Sequence, residues 1–354
     1  MRCLARLACV SACEYAGGAR VPARDCAHAP YPLPKEGHVP MANAPHIISA
    51  GDEDGILLVI HGGAGKRVHD MTPGQQADTD AALQEALAAG YARLAAGAPA
   101  EEAVIAAIHV MEDSPCFNAG RGAALTLEGR AEMDSCLMRG DGSTGAACGL
   151  TSARHPIDVA RAVMDKTPHV LFAEPSPEQL DAWGIEQVSN DYFVTERRQE
   201  ALAEFKARQA AGDASAAADP RHGTIGAVAR DVNGAIAAGT STGGITGQQP
   251  GRIGDSPICG AGTYCNQASV AVSCTGTGEK FIQEVAAYQV HARVTMAGES
   301  LEHAAGAMLE AVEDRGGDGG VIIVPARGHG VVAFNEGAQM NYGYAFGDVR
   351  VTHE

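Results

Sequence analysis

The feature that most constrains the fold of this 354-residue chain is a hairpin that begins abruptly after a linker. Thr224 opens a short apolar run, a turn follows at residues 231–234, and a second apolar run ends at Thr240. Because Asn233-Gly234 supplies the positive φ angles of a tight turn, the two runs are predicted to pair as antiparallel strands. Thr242, just beyond the second run, is therefore expected to lie near Thr224.

The segment before the hairpin has little to bury. A charged helical stretch starts near residue 197 and gives way to the low-complexity run AAGDASA at residues 210–216. We predict a flexible linker over about residues 197–220, because small and polar residues cannot offset the entropy lost on ordering.

The rest of the chain alternates between strand and helix patterns. Before the linker, the predicted elements are a buried strand at 56–60 that ends in the glycine turn HGGAG, helices near 83–94 and 104–111, antiparallel strands over 123–152 and a helix at 156–164. After the hairpin they are a strand at 269–273, one helix over 281–292, another at 301–312, and a hairpin of 321–324 with 330–334. This order predicts helices packed outside two face-to-face sheets.

The net charge limits the macromolecular partners of the chain, and the cysteine pattern indicates its cellular compartment. The formal net charge of −17 argues against nucleic-acid and membrane partners, which require clustered Lys and Arg. The ten cysteines form no CxxC pair, which favours free thiols and a cytoplasmic location. Residues 10–13 resemble a lipoprotein cleavage box, so export is the alternative. Residues 1–50 are interpreted as a leader, disordered or preceding a true start at Met41.

Thr224 also suggests a reaction. Cleavage of the Gly223–Thr224 bond would expose an α-amine with a pKa near 8, which can act as the base for the threonine hydroxyl. A plain loop-to-strand junction is the structural alternative. A serine esterase is the chemical alternative, because GTSTG at residues 239–243 satisfies GxSxG with Ser241 as nucleophile. That motif requires a helix directly after the serine, and the glycine- and proline-rich run that follows disfavours one.

Five blocks resemble one known family. HGGAG, FNAGRG, HGTIGAVA, GTSTGGITGQQPGRIGDSP and SCTGTGEKF occur in the order and approximate spacing of the plant-type L-asparaginase and isoaspartyl peptidase family. The resemblance implies an α+β fold, the four-layer αββα sandwich of N-terminal nucleophile hydrolases. It also implies self-cleavage into an α subunit, residues 51–223, and a β subunit, residues 224–354, with two such αβ units in a homodimer.

The implied activity is hydrolysis of β-aspartyl dipeptides and of the side-chain amide of L-asparagine through a Thr224 acyl-enzyme, without a catalytic cofactor. Glycosylasparaginases are the related alternative, but they usually carry Asp where this chain has Gly223. A catalytically inactive family member with a binding or structural role is a further alternative.

Site residues are carried over from the resemblance by position. Thr224 matches the nucleophile and Gly223–Thr224 the cleaved bond. The other matches are Thr242, which tunes the nucleophile, Thr275 and Gly276 as oxyanion donors, and Asn118 nearby. Arg252 matches the clamp on the substrate α-carboxylate, Asp255 the acceptor of its α-ammonium, and Gly278 a backbone contact. A structural sodium ion is expected on the backbone carbonyls of Met111, Glu112, Ser114, Phe117, Ala119 and Arg121.

Overall fold

The computed structural model describes residues 44–51, 55–65, 71–213 and 223–353. They lie within one compact unit that spans residues 42–354. The strands are β1 His46–Ala50, β2 Leu57–Gly65, β3 Met133–Arg139, β4 Thr144–Leu150, β5 Leu171–Ala173, β6 Ile225–Arg230, β7 Ile236–Thr242, β8 Thr263–Cys265, β9 Val270–Gly276, β10 Gly319–Pro325, β11 Gly330–Phe334, β12 Gln339–Phe346 and β13 Val349–His353. The helices are α1 Pro73–Ala95, α2 Ala100–Asp113, α3 Pro156–Lys166, α4 Pro177–Trp183, α5 Glu196–Ala210, α6 Gly278–Glu284, α7 Ala286–Ala292 and α8 Leu301–Asp314.

The strands form two sheets. One has eight strands in the order β13-β12-β2-β6-β7-β3-β4-β5, and the other has five in the order β1-β11-β10-β9-β8. The predicted hairpin is β6–β7, with Ile225 opposite Ser241, and it lies in the middle of the larger sheet. The strand predicted at 56–60 is β2, which pairs with β12 and β6 as an interior strand. The α+β class with two sheets is confirmed.

Both faces of β2 are covered, which explains its continuous apolar sequence. Leu58 and Ile60 belong to a core shared with Val104 and Ile108 of α2. Val59, between them, belongs to a second core with residues of β10 and β11 from the other sheet. A third core joins β9, β10 and β11 to α7 and α8. Successive residues of one strand thus contact helices on one side and a sheet on the other.

Two predicted boundaries were wrong. The leader was placed over residues 1–50, but His46–Ala50 form β1 and pair with β11, because this short apolar run extends the edge of the smaller sheet. The linker was placed over residues 197–220. Its charged stretch was predicted to be helical and is α5, Glu196–Ala210, but Leu202 and Phe205 are buried in a core, so a flexible segment does not begin at residue 197. Residues 1–43 and 214–222 lie outside the described residues.

The helix predicted over residues 281–292 is two helices. Val285 has a φ of 52°, in the left-handed region, so α6 ends before it and α7 begins after it. The N–H groups of Ala287 and Tyr288, in the first turn of α7, donate to the carbonyls of Ala261 and Gly260. These bonds to a neighbouring loop hold α7 in its own direction.

The six described cysteines are all unpaired. Cys136, Cys148, Cys265 and Cys274 are buried, Cys116 is partly exposed and Cys259 is exposed. None of the helices in the described ranges is long and apolar enough to cross a membrane.

Candidate active site

Two threonine hydroxyls meet at the open end of the β6–β7 hairpin. Thr224 immediately precedes β6 and Thr242 ends β7, so the register of the hairpin places them opposite each other. The Thr224 hydroxyl donates to Thr242 Oγ1 at 3.0 Å. Thr242 in turn donates to the carbonyl oxygen of Gly223 at 3.3 Å and accepts the Gly244 N–H at 3.1 Å. A continuous path for a proton therefore runs from the Thr224 hydroxyl to the carbonyl of the preceding residue.

The Gly223 carbonyl has a second donor. Asn118 Nδ2 donates to it at 2.6 Å and to the Gly244 carbonyl at 2.7 Å, while Asn118 Oδ1 accepts the Ala124 N–H at 2.6 Å. These three bonds fix the amide in one orientation. Two donors on one carbonyl oxygen polarise it and stabilise negative charge that develops there.

The HGGAG turn packs against the same peptide bond. A Cβ atom on Gly63 would lie 3.0 Å from the Gly223 Cα and 3.3 Å from the Thr224 nitrogen. Gly63 also has a φ of 114°. Only glycine combines this backbone conformation with this close approach, which explains the glycine of the turn.

Most of the residues predicted to form the site line one pocket. It is lined by Gly223, Thr224, Thr242, Gly244, Ile245, Arg252, Gly254, Asp255, Ser256, Gly276 and Gly278. The structure therefore brings the predicted nucleophile together with both predicted substrate-binding charges. Asn118 and Thr275 are not among the residues that line the pocket. Thr275 is fully buried, and its hydroxyl accepts the Ala64 N–H at 3.2 Å.

Arg252 is held in a slot between two glycines. A Cβ on Gly254 would lie 3.0 Å from its Nη1, and a Cβ on Gly278 would lie 3.1 Å from its Nη2. Its Nε and Nη2 contact Glu279 Oε1 at 3.0 and 2.9 Å. The Glu279 side chain is 51% exposed, so this ion pair is solvated and exchanges readily for another carboxylate.

Asp255 is a buried acid with an unused oxygen. The residue is 5% exposed, and its Oδ2 has no hydrogen-bond partner in the described part of the protein. Burial raises the pKa of this carboxyl to about 7, although the charge of Arg252 acts to lower it. A buried carboxylate without a partner is costly, and a ligand ammonium would supply one. The pocket therefore offers a cation and an anion to a small zwitterion.

Gly276 leaves bare backbone at the pocket wall. Its φ is 149°, and a Cβ there would lie 2.2 Å from the Asp318 carbonyl oxygen. Any side chain would displace β10, so this part of the wall consists of main chain, as a backbone oxyanion donor requires.

A network of buried polar side chains, not predicted from the sequence, lies between the two sheets and the pocket. His61 is fully buried, and burial lowers its pKa to about 3, so the imidazole is neutral. Its Nε2 contacts Ser273 Oγ at 2.9 Å, and Ser273 contacts Thr240 at 2.7 Å. The Thr263 hydroxyl donates to the carbonyl of Ser256, which lines the pocket, at 3.0 Å, and it contacts the Thr240 hydroxyl at 2.6 Å. The sequence feature that could have predicted this network is a hydroxyl side chain within the apolar run of each strand, Thr240 in β7 and Ser273 in β9.

Ser241 does not form a nucleophile elbow. It is fully buried inside β7, and its hydroxyl donates to Glu112 Oε1 at 2.6 Å. The residues after Thr242 form a turn-rich loop without a helix. The serine esterase alternative fails on both counts, because this hydroxyl reaches neither solvent nor the pocket.

Three of the carbonyls expected to hold sodium already accept hydrogen bonds. The Met111 carbonyl accepts the Ser114 N–H, the Glu112 carbonyl accepts the Arg121 N–H, and the Phe117 carbonyl accepts Arg198 Nη2 at 3.4 Å. A carbonyl oxygen has a second lone pair, which could bind a hard cation. Within the described ranges, no cluster of His, Cys, Asp and Glu side chains is arranged to hold a metal ion.

Known proteins resemble this chain over most of its length. The model of the Asparaginase_2 family, described as asparaginase, matches residues 54–352. An isoaspartyl peptidase of Salmonella typhimurium is 43% identical over 84% of this chain and 97% of its own. An isoaspartyl peptidase of Escherichia coli is 41% identical over 84% and 95%. An isoaspartyl peptidase/L-asparaginase of Bos taurus is 34% identical over 83% and 98%.

Proposed function

Because the chain belongs to the Asparaginase_2 family, we propose that it is an isoaspartyl peptidase and L-asparaginase that uses Thr224 as its nucleophile. Its substrates are β-aspartyl dipeptides and L-asparagine. One observation carries the proposal: the Thr224 hydroxyl, bonded to Thr242, shares a small pocket with Arg252 and with Asp255, whose Oδ2 has no hydrogen-bond partner among the described residues. The curated relatives named isoaspartyl peptidase support it.

Maturation begins when Thr224 Oγ1 attacks the Gly223 carbonyl carbon. The hydroxyl proton passes to Thr242, and the Thr242 proton passes to the Gly223 oxygen, along the two bonds already formed. Asn118 stabilises the same oxygen. The carbonyl then re-forms as the C–N bond breaks, and the proton on the Gly223 oxygen passes to the leaving nitrogen. An ester now joins the Gly223 carbonyl carbon to Thr224 Oγ1. Water hydrolyses this ester and leaves Thr224 with a free α-amine.

Turnover repeats this chemistry on a substrate. Arg252 holds the substrate α-carboxylate in exchange for Glu279, and Asp255 accepts the α-ammonium. The Thr224 α-amine takes the proton of its own hydroxyl, which attacks the side-chain carbonyl carbon of the substrate. Thr275 and Gly276 stabilise the oxyanion, and Gly278 contributes a backbone contact. The C–N bond breaks, and ammonia or an amino acid leaves with the proton. Water then cleaves the acyl-enzyme and releases aspartate.

The recognition groups also define the substrate class. Arg252 and Asp255 together bind an amino acid whose α-carboxylate and α-ammonium are both free. In a β-aspartyl dipeptide both groups are free, whereas in an α-linked aspartyl dipeptide the α-carboxylate is part of the peptide bond. The site therefore selects β-linked over α-linked substrates.

The surrounding architecture is proposed on the same basis. The three cores between sheets and helices support a four-layer αββα sandwich of the N-terminal nucleophile hydrolase type. A homodimer of αβ units follows from the family resemblance. A sodium ion on the carbonyls of the 111–121 loop would hold in place the segment that carries Asn118. No cofactor enters the proposed reaction, and a cytoplasmic location stays a prediction.

The test compares hydrolysis by wild type and Thr224→Ala. We expect wild type to hydrolyse β-aspartyl-leucine and L-asparagine, and to leave α-aspartyl-leucine intact. Thr224→Ala is expected to hydrolyse none of them. Equal rates on the α- and β-linked dipeptides would contradict the proposed recognition, and an active Thr224→Ala would contradict the nucleophile.

A further inference from the structure

The Ser273 hydroxyl lies between the two sheets, against the strand that follows the nucleophile. Ser273 is fully buried in β9, two residues before the proposed oxyanion donor Thr275, and the proposed reaction does not use it. We propose that Ser273 is a positioning residue that sets the distance between Thr224, at the start of β6, and the oxyanion donors at the end of β9. The inference rests on the proposed function and adds a residue to it.

The facing surfaces of the two sheets change from apolar to polar near the active site. One residue from each of four strands belongs to the apolar core between the sheets: Val59 of β2, Val228 of β6, Ala238 of β7 and Ala271 of β9. Side chains two residues apart in a strand point to the same face. Two residues closer to the site, the same strands carry His61, Gly226, Thr240 and Ser273. Polar groups therefore replace apolar packing just before the site.

Ser273 Oγ is the point at which these four residues meet. It contacts His61 Nε2 at 2.9 Å and Thr240 Oγ1 at 2.7 Å. A Cβ atom on Gly226 would lie 2.0 Å from it. Because β6 lies between β2 and β7, one hydroxyl of the smaller sheet reaches three adjacent strands of the larger sheet. Gly226 is two residues from Thr224, so this contact lies next to the nucleophile.

The directions of these hydrogen bonds follow from the last acceptor. Thr263 donates its one proton to the Ser256 carbonyl, so at its 2.6 Å contact with Thr240 it is the acceptor. Thr240 has then used its own proton, so Ser273 donates to Thr240 and accepts the Nε2 proton of the neutral His61. The Ser273 hydroxyl is therefore engaged as a donor and as an acceptor, which fixes its position.

Backbone ladders do not set the distance between the nucleophile and the oxyanion donors, because these groups lie on different sheets. β9 pairs with β8 and β10, whereas β6 pairs with β2 and β7. The Ala64 N–H also crosses between the sheets, to Thr275 Oγ1 at 3.2 Å, but it joins β9 to β2 alone. Ser273 also reaches β6 and β7, the strands next to Thr224 and Thr242. A shift of about 1 Å between reacting groups can lower a rate about a hundredfold.

The inference predicts a loss of rate without a loss of binding or self-cleavage. The side-chain hydrogen bonds of Ser273 involve neither Arg252 nor Asp255. Self-cleavage uses the bonds of Thr242 and Asn118 to the scissile carbonyl, which also do not involve Ser273. A residue needed only for folding would instead lower the melting temperature and the yield, and it would leave kcat per self-cleaved chain unchanged.

The experiment uses Ser273→Ala and Ser273→Cys in the full chain, with Ser135→Ala as a matched control. Ser135 is also fully buried, and its hydroxyl donates to the carbonyl of Pro156, the first residue of α3, at 2.7 Å. The control therefore removes a buried serine hydroxyl from the helix-covered face of the larger sheet. The readouts are intact mass, melting temperature, kcat per self-cleaved chain and KM for a β-aspartyl dipeptide.

We expect complete self-cleavage in all three variants and a KM within about twofold of wild type. In Ser273→Ala, kcat should fall about tenfold to a hundredfold, because an oxyanion donor is effective only where it is aligned. Ser273→Cys should lower kcat about threefold to tenfold, because a thiol is larger than a hydroxyl and forms weaker hydrogen bonds. Ser135→Ala should lower the melting temperature and leave kcat within about twofold of wild type.

A double variant identifies the group through which Ser273 acts. In a Thr275→Ala background, Ser273→Ala should lower kcat by a smaller factor than in wild type, because the misaligned donor is already missing. Equal factors in the two backgrounds would overturn the inference.

An unchanged kcat in either Ser273 variant, a rise in KM alone, or an equal fall of kcat in Ser135→Ala would also overturn it. If Ser273→Ala does not fold, Ser273→Cys decides. A wild type that hydrolyses neither substrate would refute the proposed function, and the inference with it. An active wild type whose kcat is matched by the Ser273 variants would refute the inference alone.

Discussion

Asp255 should make substrate capture depend on pH near neutrality. Burial raises its pKa to about 7, and its Oδ2 has no hydrogen-bond partner among the described residues, so it is available to the substrate ammonium. Only the ionised carboxylate attracts that ammonium, so kcat/KM should fall as the pH drops below 7. Each pH unit below the pKa lowers the ionised fraction of Asp255 about tenfold, so about 1% is ionised at pH 5.

The Thr224 α-amine titrates in a neighbouring range and would distort a single profile. Comparison with Asp255→Asn removes this difficulty, because the amine is common to both enzymes. At pH 8 the wild type should exceed the variant in kcat/KM by about 30-fold to 1000-fold, equivalent to ~2–4 kcal/mol for a buried charge pair. At pH 5 this ratio should be up to about a hundredfold smaller, with a lower limit of about one, because a protonated aspartic acid resembles asparagine.

The assay is release of the leaving amino acid from a β-aspartyl dipeptide at substrate concentrations well below KM. Intact mass at each pH checks that both proteins are fully self-cleaved. A ratio that stays constant from pH 5 to pH 8 would refute the reasoning, since it would mean that Asp255 does not titrate in this range or does not bind the ammonium.

Three further predictions concern maturation, the rival nucleophile and packing. Asn118→Ala removes a donor from the Gly223 oxygen and should slow self-cleavage by about a hundredfold, followed by gel electrophoresis over time; normal cleavage would contradict the role of Asn118. Ser241→Ala should retain activity in the same dipeptide assay, and a large loss would revive the esterase alternative. Gly226→Ala would put a Cβ 2.0 Å from Ser273 Oγ and 2.3 Å from His61 Nε2, so it should lower stability by about 1–3 kcal/mol in thermal melts; an unchanged melting temperature would contradict the packing.

The hairpin that carries the nucleophile was predictable because its determinants are local. Asn233-Gly234 specifies the turn, and the turn brings Thr224 and Thr242 to the same end of the ladder. The buried strand β2 was predictable for the same reason, because its apolar run is continuous.

The binding groups were not predictable from pattern alone. Arg252 and Asp255 lie in an irregular loop without periodicity, so only family resemblance singled them out. The structure pairs Arg252 with Glu279, and Asp255 Oδ2 has no hydrogen-bond partner among the described residues.

Long-range contacts explain the remaining omissions. Val285 fits a helical pattern, but bonds from α7 to the 260–261 loop break the helix there. β1 was taken for part of a leader because its partner, β11, lies near the other end of the chain.

The central claim is that one threonine both cuts the chain and performs the reaction. The most direct measurement is intact mass spectrometry of purified, active wild type beside Thr224→Ala. The wild type should give two fragments whose masses add up to the full chain plus one water, the second beginning at Thr224, and the variant should stay whole. A fully active wild type that consists of one uncut chain would contradict the account.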